Sequence, residues 1–437
     1  MKLLKTGVLR SIYIQNINKL FHKFLFHIYK ILIVISTLYI LKYYHDAGNM
    51  HDAGVYVDSG LAVFNGENPY ECCSRWGSFG PVPFSAFIVV FPLAMQAAVV
   101  RLLSLAGIYM FLRTFFPTKV EKDRYLIFLV IIWCSPVREL MVTNQMTGIC
   151  IGLVALGVKI HELHGRYKYS KTLEIVSATL FAIALDMKPH ITIIFFISWC
   201  IYRKSIKLFA YVIIVLMSTH ALIDFSQNKI LELDWLANLR GVNTNAMQNS
   251  LGDSLSFWPI LNNYIAGGKI FYYFSIILVF VFLILCTNLA KKGNYETMIF
   301  CSFLAPSMFI YFHFYDVVPL TVILAILVLR VKNHILVAFS ISMYLIPKEY
   351  MSIKNTILVY AFIILLTVLK SKRLEKTIWI RNSLLSITGW AMSYLLHTFN
   401  SILGLSDHLL QSLIVTECLI IVTVLFYYSK RKEISLI

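Results

Sequence analysis

Apolar runs alternate with short polar connections along almost the whole chain. The longer runs reach about 17–25 residues, enough for a helix to cross ~30 Å of hydrocarbon. The pattern predicts spans over Ile28–Tyr44, Ala97–Phe116, Tyr125–Val137 and Met146–Ile160. The shorter runs Leu173–Leu185 and Ile191–Tyr202 flank Met187-Lys188-Pro189-His190 and read as an antiparallel pair turning at Pro189. Further spans end near Phe225, Ala290 and Leu329, and a run covers Met298–Phe312. Ile335–Ile346, Thr356–Leu369, Thr377–Leu396 and Leu409–Tyr428 complete the set, about 11–14 spans in all by length. Two apolar stretches are too short to cross. Ala53–Phe64 and Phe84–Phe91, the second bracketed by Pro81, Pro83 and Pro92, read as interfacial or re-entrant helices.

Composition fixes the class. Charged residues are only 14% of the chain, against about a quarter in soluble domains. The fold class is therefore all-α, a polytopic transmembrane helical bundle. A porin-like barrel is excluded, because its strands would alternate apolar and polar residues. The formal charge of +17 does not point to nucleic acid, since the cations punctuate the apolar runs and do not gather in one soluble domain. With the N-terminus on the cytoplasmic side, the clusters at 119–124, 166–171, 203–207, 291–292, 330–332, 370–376 and 430–432 all fall inside. That sorting is the positive-inside rule. The stretches 45–70, Val137–Gln145, Met187–His190, 226–269, His313–Asp316 and Pro347–Lys354 then fall outside.

Three regions follow. Residues 1–27 form a basic amphipathic cytoplasmic segment, and Ile28–Tyr44 reads as a retained anchor. Residues 28–346 form the core, with outer loops 45–96 and 226–269, and 347–437 add C-terminal spans. Six of the eight cysteines lie in apolar runs and act as small packing residues. Cys72 and Cys73 are adjacent, and no CxxC spacing suggests a metal site.

Candidate chemistry lies at the outer boundary. The stretch His45–Tyr70 carries Asp46, Asp52 and Asp58. A carboxylate just past a span, where water is partly excluded, can gain the proton affinity of a general base. His313, between Phe312 and Phe314, can share that work or orient a hydroxyl. Lys188, Arg75 and Arg138 are cations suited to a phosphate-bearing group. Each also has a plainer role. A Lys-Pro turn often anchors at the headgroups, a boundary histidine is often simply satisfied, and Asn144-Gln145 suits a hydrogen bond within a bundle. Asp52, Arg138, Lys188, His190 and His313 are expected to converge on one outward cavity.

The run DAGVYVDSGLAVFNGENPY from Asp52 resembles the first outer loop of glycosyltransferase family 87, the polyprenyl-phosphate-mannose-type transferases of the GT-C superfamily. Asp52, Tyr56, Gly66, Pro69 and Tyr70 follow that pattern in order and spacing. Looser similarities follow in the family's order. PVPFSAFIVVFPLA is similar to a proline-rich juxtamembrane helix, and NQMTGICIGLVALG to a Gln-containing span start. MKPH supplies a Lys-Pro pair, QNSL resembles an Asn-Gln-Ser element with Gln248 and Asn249 inverted, and PSMFIYFHFYD resembles a Ser-Pro stretch with a downstream histidine. Thr147 stands where the family usually has asparagine, and Pro306-Ser307 inverts the Ser-Pro order.

The resemblance implies a GT-C bundle that moves a sugar, mannose or another hexose or pentose, from a polyprenyl-phosphate donor. The acceptor is a hydroxyl of a glycolipid or glycan. Asp52 is implied as the base of an inverting transfer, assisted by His313. Tyr56, Arg75, Arg138, Asn144, Gln145, Lys188, His190, Gln248 and Asn249 are implied on the substrate side. No cofactor is implied and no DxD-type metal site is required. The implied setting is a bacterial cytoplasmic membrane with the active face toward the periplasm or exterior. Two other classes use lipid-linked sugars. A transporter or flippase predicts charge pairs buried mid-span and inverted repeats. A polysaccharide ligase or polymerase relies on outer-loop arginines, for which Arg240 is the candidate.

Overall fold

The computed structural model describes residues 26–42, 51–72, 79–116, 121–166, 170–231, 233–234, 268–308 and 313–323. Residues 1–25 of the predicted N-terminal segment, Arg75, Gln248, Asn249, Arg240 and the C-terminal spans lie outside these. Every regular element among the described residues is helical. They are α1 (26–42), α2 (His51–Phe64), α3 (Pro69–Cys72), α4 (Pro81–Ile88), α5 (Leu93–Phe115), α6 (Glu121–Trp133) and α7 (Ser135–Thr143). There follow α8 (Thr147–Arg166), α9 (Lys171–Met187), α10 (Pro189–Tyr202), α11 (Ile206–Gln227), α12 (Gly268–Lys291) and α13 (Tyr295–Leu304). Two 3₁₀ turns, Ala305–Met308 and Phe314–Val317, come last, the second running into a helical stretch at 318–323.

Three of these helices contain stretches long and apolar enough to cross a membrane: Leu93–Phe115, Ile206–Gln227 and Tyr273–Lys291. This is the character of an α-helical membrane protein. The short helices expected at Ala53–Phe64 and after Pro81 are present as α2 and α4. One expectation changes. The stretch PVRELMVTNQ, read as an outer turn, is mostly the helix α7. Pro136 in the first turn suits helix initiation, where a missing N–H costs nothing. The turn itself is compressed into Asn144, whose left-handed backbone (φ 52°, ψ 42°) an asparagine tolerates well. Across it the axis bends by 108° into α8.

Glycines set the closest helix crossing. Gly148 and Gly152 are one turn apart on α8, a GxxxG spacing that lets backbones approach. Across from them on α5, a Cβ at Gly107 would overlap the Gly148 carbonyl oxygen. A Cβ at Gly148 would lie 2.8 Å from that of Ser104. The crossing therefore fixes the height of α8, and with it Thr147, its first residue. Around it the buried side chains are apolar and aromatic, with Phe111, Phe115, Phe195 and Phe303 in mutual ring contact.

α9 and α10 fold back on each other, with Phe181 and Phe196 in ring contact at 5.1 Å. The break is at Lys188, one residue before the predicted Pro189, and the proline opens α10. The polar connections sort to two poles. At one, Lys30 lies 5.4 Å from the Tyr125 ring, His161 is 3.3 Å from Ser205 Oγ, and Tyr202 meets Tyr295 at 5.3 Å. At the other, Asn68 donates to Asp234 (2.7 Å), Gln227 to the Val63 carbonyl (3.3 Å) and Tyr56 to the Met187 carbonyl (3.3 Å). The second pole gathers the segments that the charge pattern assigns to the outside.

Replacing Gly107 with alanine is expected to force the α5 and α8 backbones apart, at a cost of about 1–3 kcal/mol for overpacking. Thermal unfolding of the detergent-solubilised variant checks this. An unchanged midpoint would mean that the two helices do not touch through their glycines.

Candidate functional site

At the second pole the α9–α10 break carries a buried charge cluster. Lys188 is only 3% exposed, and its Nζ lies 3.0 Å from Asp316 Oδ1. The same Nζ donates to Thr147 Oγ1 at 2.9 Å, and that hydroxyl donates to Asp316 Oδ1 at 2.9 Å. On the other carboxylate oxygen, His190 Nε2 lies at 3.3 Å and the His313 backbone N–H donates at 3.2 Å. Four elements thus meet on one carboxylate: the start of α8, the α9–α10 break, the start of α10 and the 3₁₀ turn.

Local sequence explains each position. Pro189 stops α9 from running on, because the residue before a proline is pushed out of the α region. Lys188 accordingly sits at φ −144°, ψ 72° and turns into the bundle. Two residues on, His190 lies in the first turn of α10. The 3₁₀ turn is held by a reciprocal cap. The His313 side chain accepts the Asp316 backbone N–H while Asp316 accepts that of His313. Tyr315 then lies with its ring 4.6 Å from Lys188 Nζ and stacks on His313 at 5.0 Å.

Charge governs the chemistry here. Burial raises a carboxyl's proton affinity, but the Lys188 ammonium and the His190 contact outweigh it. They hold Asp316 well below the usual carboxylate range, so it is an anion. A buried ion is tolerated when its oxygens are satisfied, and here both oxygens have partners. The cluster is a rigid, charged knot in an apolar bundle.

Of the residues singled out from sequence, Lys188, His190 and His313 are brought together directly. Asn144 and Gln145 are buried in the connection that delivers Thr147, where Ser104 Oγ is 3.5 Å from the Gln145 carbonyl. Arg138 is buried on α7, which packs against the 3₁₀ turn. Tyr56 donates from α2 to the carbonyl of Met187, the residue before Lys188. Asp52 lies in the first turn of α2, one turn before Tyr56. Arg75, Gln248 and Asn249 are outside the described residues. Among the described residues no group of three or more His, Cys, Asp or Glu is arranged to hold a metal ion.

Sequence reasoning misses Asp316, and it meets Thr147 only as a departure from a pattern. A signal for the acid exists. A lysine between two apolar runs needs a counter-ion if it folds inward, and Asp316 is an acid at the edge of another apolar run. Compared with protein-family profiles, curated proteins and solved structures, the chain has no match.

Replacing Asp316 with asparagine leaves Lys188 as a buried cation without its counter-ion. The variant is expected to lose about 3–5 kcal/mol of stability. Adding Lys188→Met is expected to recover most of that loss, as the cycle of thermal unfolding midpoints would show. Losses from the two single variants that simply add would contradict the pairing.

The pH dependence follows from the depressed proton affinity of Asp316. Its contribution is complete above the unfolded carboxyl's value of about 3.9 and is lost only as pH falls toward the lower folded value. In a background with His190→Gln and His313→Gln, the further loss of midpoint on Asp316→Asn should stay constant from about pH 5 to 8 and shrink below about pH 4. A difference that changes across the upper range would contradict the assignment.

Proposed function

We propose that the protein is a membrane glycosyltransferase that moves a sugar from a polyprenyl-phosphate carrier to an acceptor hydroxyl on the non-cytosolic face. One observation carries this reading. The helix that carries Asp52 in its first turn is bonded through Tyr56 to Met187, whose next residue, Lys188, is paired with Asp316. The segment that resembles a glycosyltransferase family 87 motif thus bonds to Met187, and the next residue, Lys188, belongs to the cluster that joins Thr147, His190 and the His313 backbone to Asp316.

In the proposed reaction, Asp52 takes the proton of the acceptor hydroxyl as its oxygen attacks the anomeric carbon. The bond to the carrier phosphate breaks on the opposite side, so the configuration inverts. The phosphate leaves with the bonding electrons and its added charge is stabilised by cations, for which Arg138, buried on the helix α7 that packs against the 3₁₀ turn, is the candidate. Lys188 is already countered by Asp316, so its role is to hold the break, the His190 turn and the start of α8 in register. His313, stacked against Tyr315, lines the same pole. A lipid-linked donor suits an outward site, since nucleotide sugars are made in the cytosol. The site calls for no cofactor.

A second reading has its own support. The Lys188–Asp316 pair is buried between interrupted helices, and buried charge at broken helices is also how transporters bind and couple. One assay separates the two. Vesicles containing the purified protein receive radiolabelled polyprenyl-phosphate sugar and a mixed glycolipid acceptor extract. A transferase yields labelled acceptor, whereas a flippase moves the intact donor between leaflets. Asp52→Asn is expected to lower transfer by about 10²-fold or more, the usual scale for a general base, with donor binding retained. Undiminished transfer would remove Asp52 from the base's role.

A further inference from the structure

A second carboxylate stands next to the knot and is not part of it. Asp186 lies in the last turn of α9, two residues before Lys188, and its side chain is 6% exposed. Its Oδ2 accepts the backbone N–H of Gly80 at 2.6 Å, and its Oδ1 lies 2.8 Å from His220 Nε2. A carboxylate only accepts, so the histidine nitrogen donates. Asp186 therefore bridges the entry to α4, in the first outer loop, and α11, one of the helices long enough to cross the membrane.

Gly80 is fitted to that contact. A Cβ there would lie 2.5 Å from Met187 Cγ and 3.0 Å from the Ile183 carbonyl oxygen. The first-loop backbone thus rests directly on the end of α9. From Gly80 the connection continues into α2. Ser85 of α4 bonds the carbonyls of Tyr56 (3.1 Å) and Val57 (2.9 Å), and a Cβ at Gly60 would overlap its hydroxyl. α2 returns to α9 through Tyr56 and the Met187 carbonyl. The circuit Asp186, Gly80, Ser85, α2, Tyr56, Met187 closes on itself, and His220 joins it at Asp186.

We propose that the His220–Asp186 pair is a positioning device that seats the first-loop helices α2 and α4 on the α9–α10 break. Three consecutive residues divide the work. Asp186 holds α4 and α11, Met187 holds α2, and Lys188 holds the 3₁₀ turn. His220 acts through Asp186, whose carboxylate it aims at the Gly80 N–H. Asp186 and His220 are positioning residues, and their consequence for turnover rests on the glycosyltransferase reading, because α2 carries Asp52 in its first turn.

The test pairs an activity-independent measurement with kinetics on the full-length protein in nanodiscs. His220→Ala removes the donor, and His220→Gln keeps an N–H that can reach the carboxylate. Hydrogen exchange by mass spectrometry is followed over 51–64 and 79–88. A hydrogen bond to a charged group corresponds to about tenfold or more in an opening equilibrium. His220→Ala is expected to speed exchange in both segments by that factor, leave the α5 and α8 crossing unchanged, and lower kcat with donor KM preserved. His220→Gln is expected to restore exchange and kcat together. Unchanged exchange in 79–88, or equal behaviour of the alanine and glutamine variants, would overturn the proposal. Faster exchange over both segments in a protein that transfers no sugar would instead keep the positioning pair and reject the glycosyltransferase reading.

Discussion

The ion pair between Lys188 and Asp316 is the constraint around which the described part of this protein is arranged. In an apolar bundle a lone charge is far more costly than in water, so each member holds the other in place. Because the two residues are 128 positions apart, the pairing closes a long loop of chain. Thr147 and His190 complete the shell, which commits four elements to one point. Removing any one leaves a polar group buried without its partner, and that asymmetry makes the arrangement specific.

The knot requires its elements to arrive at one height. The glycine contact of α5 and α8 sets the level of Thr147 by bringing backbones together where side chains would hold them apart. Pro189 ends α9 and starts α10, which places a lysine and a histidine on either side of the interruption. The left-handed Asn144 brings the chain through the sharp bend ahead of α8. With this scaffold in place, the helices α2 and α4 are seated on the bundle. They rest on the end of α9 through Gly80 and Tyr56, a support for the helix that carries Asp52 in its first turn.

Much of the fold is legible in the chain. The apolar runs mark the helices seen as α5, α8, α11 and α12, and the two stretches too short to cross are the helices α2 and α4. Among the described residues, parts of three stretches that the basic clusters assign to one side meet, since Asn68 bonds Asp234 and Tyr56 bonds Met187. Helix α7 is not legible, because Arg138, Glu139 and Thr143 make it look like a loop when hydropathy alone is read. Its arginine is in fact buried. Lys188, His190 and His313 stand out as unusual residues at span edges. Asp316 does not, because pairing across 128 residues leaves no local trace, and a single acid after aromatic residues looks like an ordinary boundary.

The account stands on the charged knot lying at the pole that faces away from the cytosol. Side-selective labelling with a membrane-impermeant thiol reagent in intact cells tests this most directly. Single cysteines would replace Glu67 and Lys229 at the knot's pole and Lys204 and Lys292 at the other, in a background with the native cysteines replaced. Positions 67 and 229 should label from outside, and 204 and 292 only after the membrane is permeabilised. The opposite pattern, or equal labelling of both pairs, would place the knot where a lipid-linked sugar donor on the outer face cannot reach it.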